Sequence, residues 1–119
     1  MNGVNKVFIL GTLGSDPKDL TSREGKSYTA LNLATNRFWK NKEGTVERRT
    51  DWHRVTVFGK KAMLCQEYLR KGNSVCVEGY LSTYEFEDQG KKSWLTSVVA
   101  DDITFLSGPK KETQEPANS

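Results

Sequence analysis

The stretch from Thr50 to Gly59, reading T-D-W-H-R-V-T-V-F-G, constrains the fold more than any other part of the chain. Its β-branched and aromatic residues suit a strand, whose side chains alternate between two faces. Alternation puts Asp51, His53, Val55 and Val57 on one face and Trp52, Arg54, Thr56 and Phe58 on the other. The two valines suit a core. The opposite face then presents two large rings flanking a guanidinium, which suits a flat, negatively charged ligand. A ring accepts any nucleic-acid base by stacking, at roughly 1–3 kcal/mol per base, and an arginine between rings can meet phosphate or stack as well. Aromatics are also common core residues. The strand alone therefore leaves open whether Trp52 and Phe58 meet a ligand or pack under a neighbouring element.

The other segments are read from the same periodicities. Val4–Leu13 is a mostly apolar run closed by the turn Gly14-Ser15-Asp16-Pro17, Ser22–Lys26 is another turn, and Tyr28–Asn36 alternates as a second strand. From Trp39 to Arg49 the chain is polar, basic and centred on Gly44, which predicts a long hairpin arm; Trp39, at its base, has little apolar company and favours an exposed, ligand-facing role. The period changes over Lys60–Lys71, where Met63, Leu64 and Tyr68, with Cys65 and Leu69, recur at helical spacing before Gly72. Ser74–Leu81 alternates again, with Val75, Val77 and Leu81 opposite Cys76, Glu78 and Tyr80. Thr83–Lys92 is a second polar hairpin carrying Tyr84 and Phe86, and Trp94–Leu106 is the last strand region. The order strand, strand, strand, helix, strand, strand predicts an all-β chain with the topology of an OB-fold: a five-stranded, partly open Greek-key barrel with one short helix between its third and fourth strands. The barrel domain is expected over residues 1–107. Residues 108–119, with no aromatic and no aliphatic side chain beyond Ala117, are expected to form a disordered tail.

At 119 residues the chain is one domain's worth of sequence. No apolar run approaches the ~20 residues of a membrane span, and the start shows no signal-peptide pattern, so a cytoplasmic protein is expected. The net charge of +3 is mild, but its distribution is not even. Arg37, Lys40, Lys42, Arg48, Arg49, Arg54, Lys60 and Lys61 stand against only Glu43, Glu47 and Asp51, leaving the rest of the chain mildly acidic. A basic cluster around the aromatic strand is the footprint of a phosphate backbone, although solvated basic faces are also common.

Catalytic and metal chemistry find no support. Cys65 and Cys76 are too far apart for a C-x-x-C motif and no nearby histidine completes a zinc site, so reduced thiols and no bound metal or cofactor are expected. Gly25-Lys26-Ser27 looks like the end of a phosphate-binding loop, but position 20 is Leu where that motif needs Gly, and a strand rather than a helix follows. His53, the single histidine, shares a face with Val55 and Val57, which suits a buried or interface role better than general-base work. Asp101 and Asp102 are adjacent on a strand and point oppositely, which spoils them as a carboxylate pair.

The chain resembles the bacterial single-stranded DNA-binding proteins. The resemblance is carried by G-V-N-K-V at Gly3–Val7, T-D-W-H-R-V-T-V-F-G-K at Thr50–Lys60, Y-L-R-K-G-N-S-V-C-V-E-G at Tyr68–Gly79 and L-T-S-V-V-A-D-D-I-T-F-L at Leu95–Leu106. It implies an OB-fold homotetramer in bacterial cytoplasm, associated with the nucleoid, that binds single-stranded DNA with little sequence preference in replication, recombination and repair. It further implies base stacking on Trp39, Trp52, Phe58, Phe86 and Trp94, with Phe86 standing where the family carries a larger ring. Subunit contacts are expected through Lys6, His53, Ser74, Cys76 and Tyr80. Family members typically end in an acidic, aromatic-tipped tail that recruits partners, whereas Lys110 and Lys111 here balance Glu112 and Glu115. Tail-mediated partners are therefore not expected. The alternative is a replication-restart accessory of the same fold, working mainly through protein contacts and needing fewer stacking rings. RNA remains open, because stacking and phosphate contacts do not read the 2′-hydroxyl.

Overall fold

In a computed structural model, residues 1–22 and 24–106 are described; the expected tail lies outside them. The chain forms β1 (Val7–Leu13), β2 (Lys18–Thr21), β3 (Ser27–Lys40), β4 (Val46–Phe58), α1 (Lys60–Tyr68), β5 (Ser74–Asp88) and β6 (Lys91–Phe105). The strands lie in the order β1-β5-β6-β4-β3-β2, and a further β1–β3 pairing through Thr12↔Ala34 and Leu13↔Leu33 closes the sheet on itself. The result is a closed five-stranded barrel of OB-fold type, with the parallel β4–β6 contact at Val55↔Val98 and Thr56↔Val99 as one seam. Closure leaves β1, β3, β4, β5 and β6 paired on both sides where they form the barrel.

The short strand β2 was not expected, since K-D-L-T has little strand character and is bracketed by turns. It forms because β3 offers it an edge, with Lys18↔Ala30 through Thr21↔Ser27 in register. It takes no part in closing the barrel. Counted over the five barrel strands, α1 still falls between the third and fourth.

Alternation fills the interior. Ile9 and Leu13 of β1, Leu31 and Leu33 of β3, Val55 and Val57 of β4, Val75 and Val77 of β5 and Val98 of β6 form one buried cluster. The helix covers one end of this barrel through only part of the stripe its spacing predicts, Cys65 and Leu69, with Ala62 added. Ala62, Cys65 and Leu69 are buried, whereas Met63 is 70% exposed and Leu64 and Tyr68 also face outward. Ala62, Cys65 and Leu69 join the core cluster of the barrel, so these three define the helix face that packs on it. Thr29 Oγ1 donates to the Ala62 carbonyl and accepts from Gln66 Nε2, both at 3.2 Å, so the one buried hydroxyl under the helix is satisfied.

Two hairpins run past the barrel as arms. β3 and β4 stay paired as far as Lys40↔Val46, where the loop winds around Asn41. Its Oδ1 accepts from the backbone N–H of Glu43 and Thr45 at 2.9 and 3.0 Å, and its Nδ2 donates to Glu47 at 2.8 Å. β5 and β6 pair as far as Asp88↔Lys91. The two residues between them, Gln89 and Gly90, both have positive φ, 53° and 81°, the requirement of the tight turn whose twist matches a hairpin. Deeper in the sheet the β5–β6 register shifts at Glu78/Gly79. Gly79 packs there against the Val99 carbonyl, where any Cβ would collide.

Candidate nucleic-acid interface

Residues directly opposite in an antiparallel pair share a face, so the β3–β4 register sorts the first arm. One face continues the core: Leu31↔Val55 and Leu33↔His53 lead to Thr35↔Asp51, Arg37↔Arg49 and Trp39↔Glu47. The other face carries Tyr28↔Phe58, Ala30↔Thr56, Asn32↔Arg54, Ala34↔Trp52, Asn36↔Thr50, Phe38↔Arg48 and Lys40↔Val46. On β4 the alternation read from the sequence holds: Val55 and Val57 are buried, while Phe58 is exposed and Trp52 is 58% exposed. The core alternative for Trp52 is thereby set aside. Its indole rests on Gly14 at the end of β1, where the missing side chain leaves a seat for the ring. Phe58 lies 5.6 Å from Tyr28, ring centre to ring centre, at a tilt of 42°. Trp39 is exposed, but on the face opposite Trp52, so the rings of this arm look two ways.

The cations divide in the same manner. On the Trp39 face, Asp51 is bracketed by Arg37 Nε at 3.0 Å and Arg49 Nε at 3.2 Å. The hydrogen bond from Arg37, reinforced by both guanidinium charges, holds the Asp51 carboxyl below its ordinary value. On the Trp52 face, among the described residues, neither Arg48, Arg54 nor Lys40 has a carboxylate partner. Their charges face solvent uncompensated. Lys42 is exposed in the loop of the arm, Lys60 is exposed at the start of α1, and Lys61 reaches Asp102 at 3.8 Å. The basic cluster is thus one sequence segment but several separate surfaces.

The second arm repeats the two-sided arrangement. Phe86 pairs with Ser93 and Tyr84 with Leu95, while Trp94 pairs with Glu85, so Phe86 and Trp94 occupy opposite faces. Trp94 is 63% exposed, whereas Phe86 is partly covered and lies 6.1 Å from Tyr84. Tyr28, Phe38 and Tyr84 are exposed or half-buried rings beside these positions that the sequence reading did not single out. Their positions on the faces follow from cross-strand register, which no local pattern reveals.

The expected subunit-contact residues fall into two places. Lys6, Ser74, Cys76 and Tyr80 border the outer side of β1 and β5, where Phe8 and Leu10 are exposed and Leu10 pairs with Cys76. Lys6 Nζ sits 3.0 Å from Glu78, whose hydrogen bond and charge raise the lysine pKa. Asn5 extends this edge by gripping the Leu81 backbone with both ends of its amide, at 2.8 and 2.9 Å. His53 lies apart, on the core-side face of β4, where its Nε2 shares a 2.8 Å hydrogen bond with Thr35 Oγ1. Among the described residues no group of three or more His, Cys, Asp or Glu could hold a metal ion, and no helix is long and apolar enough to cross a membrane.

Barrel, end-capping helix and two ring-bearing arms define an OB-fold barrel with an aromatic and basic surface. The chain belongs to the Single-strand binding protein family, whose pattern it matches over residues 4–106. It is 40% identical over 107 residues to the single-stranded DNA-binding protein of Xylella fastidiosa and 39% identical over 106 residues to single-stranded DNA-binding protein 1 of Chlorobaculum tepidum. Those matches take in 89% and 87% of this chain and 65% of each relative's length. Among solved structures it is similar to the Plasmodium falciparum SSB in complex with ssDNA, with a TM-score of 0.79 and 29% identity. That match covers 90% of this chain and 98% of the other.

Proposed function

We propose that this chain binds and protects single-stranded DNA with little sequence preference, in replication, recombination and repair, and that it does so as a bacterial homotetramer on the nucleoid. It is a binding protein and not an enzyme. Bases stack on Trp39, Trp52, Phe58, Phe86 and Trp94, and phosphates meet Arg37, Lys40, Lys42, Arg48, Arg49, Arg54, Lys60 and Lys61. Residues 1–107 carry the binding, and Lys6, His53, Ser74, Cys76 and Tyr80 contribute to the contacts between protomers. The observation that supports this reading best is Trp52, an exposed ring on a barrel strand, two residues from Arg54, whose guanidinium has no carboxylate partner among the described residues. Such a platform accepts any base because every base has a π-face. Family membership and the DNA-bound Plasmodium relative support it independently.

Tryptophan fluorescence titrated with poly(dT), poly(rU) and duplex DNA tests it. Stacking on Trp39 and Trp52 gives strong quenching by poly(dT), while a duplex, whose bases are already stacked, does little. Equal quenching by both would overturn the reading, and the poly(rU) arm decides the preference between DNA and RNA.

A further inference from the structure

We propose that Phe38 and Arg48 form an additional nucleotide subsite, which prolongs the track of Trp52 outward along the β3–β4 arm. The inference rests on the single-strand reading above and adds to it a place where the strand goes next. Phe38 and Arg48 are directly opposite each other in the ladder and share the Trp52 face. Phe38 is 65% exposed, more than Trp52 itself, although it lies in a sheet whose other side at this level carries Arg37 and Arg49. Most of the Phe38 ring therefore stays open beside the Arg48 guanidinium, the pairing of π-face and cation that suits a stacked nucleotide.

The spacing suits a continuous strand. From Trp52 to Arg48 is four residues along β4, or about 13 Å at the usual rise of a strand. The rung between them is polar, with Thr50 Oγ1 donating to Asn36 Oδ1 at 2.6 Å. Along this face, from barrel to tip, the order is the Tyr28–Phe58 pair, Arg54, Trp52, the Asn36–Thr50 rung, Phe38 beside Arg48, then Lys40. Rings and cations share this face, and among the described residues no carboxylate pairs with Arg54, Arg48 or Lys40. That charge favours a polyanion with exposed bases over an apolar protein partner. The opposite face differs, because there Asp51 holds Arg37 and Arg49 in ion pairs and offsets one of their two charges.

The test compares Phe38→Ala, Phe38→Leu and Phe38→Trp in the full chain, titrated with poly(dT) at two salt concentrations. Ala and Leu should both weaken binding, by about fivefold or more, the lower end of one base stack. Trp should bind as tightly as Phe or tighter. Arg48→Ala should lower the log–log salt slope by about one, as loss of a single phosphate contact does. Circular dichroism checks folding; should the Ala variant fail to fold, the Leu and Trp variants decide alone. Unchanged affinity in Phe38→Ala or Phe38→Leu would overturn the subsite. So would a change in sedimentation without a change in affinity, which would make the face a protein contact. If Trp52→Ala loses affinity while the Phe38 variants do not, only the subsite fails. If the unmodified chain ignores poly(dT), the single-strand reading fails with it.

Discussion

The indole of Trp52 lies so close over Gly14 that a Cβ at position 14 would come within 2.6 Å of its Cη2 atom. The two residues are far apart in sequence, Gly14 just past the end of β1 and Trp52 within β4, yet the absence of one side chain sets where the other ring rests. Gly14 does not have the positive φ that would by itself demand glycine. Its value lies in the space it leaves.

Gly14→Ala should therefore fold normally but displace the indole, weakening poly(dT) binding by about fivefold if one stack is lost. The effect should vanish in a Trp52→Ala background, because the two substitutions act on one ring. A double-mutant cycle read by poly(dT) titration checks this; additive losses would mean that Gly14 acts elsewhere.

Trp52→Ala and Val57→Ala should separate binding from stability. The first removes an outward ring and should cost about 1–3 kcal/mol of single-strand affinity with little change in melting temperature. The second opens a cavity in the buried cluster and should cost roughly 2 kcal/mol of stability. Thermal melts and poly(dT) titrations of both variants check the assignment, and a reversed pattern would refute it.

Asp51→Asn should release Arg37 and Arg49. Tighter single-strand binding at low salt should follow, with a salt dependence steeper by about one to two phosphate contacts. The pH effect has a definite sign. Arg37 and Arg49 lower the folded-state pKa of Asp51, so its contribution to stability is present above the unfolded carboxylate value of about 3.9 and is lost as pH falls through the folded one. Acid melts of the Asn variant should lack that part of the loss.

Cys65 should report on the alkaline side. Burial on the core-facing side of α1 pushes its thiol up to about 11, so the folded chain resists its ionisation. The related stability is intact below the unfolded thiol value of about 8.5 and is lost as pH rises toward 11. Iodoacetamide at pH 8 should label Cys65 only after denaturant is added; ready labelling of the folded protein would show that the helix does not seal the barrel end.

The alternation of Thr50–Phe58 was legible because strand period is a local property: it set Val55 and Val57 on a core face and Trp52 and Phe58 on the opposite one, and only the tertiary structure decided that those two rings stay exposed. Both hairpin arms were legible from local composition, the first through Gly44 and its polar surroundings and the second through the polar run Thr83–Lys92. Strand β2 and the inward place of Ala62 on α1 were not. β2 pairs with the edge that β3 presents, and Ala62 rather than Met63 is buried because of how the helix is rotated on the barrel, which spacing within the segment does not set. Periodicity within a segment therefore determined which residues alternate, which rings stand beside cations and where the chain turns. Tertiary structure alone decided that Trp39 and Trp52 look opposite ways, that Asp51 holds two arginines on one face of the arm while Arg48 and Arg54 on the other have no carboxylate partner among the described residues, and that Gly14 seats an indole. Those relationships depend on strand register and barrel closure, which join residues distant in sequence and are set by the packing of the whole core.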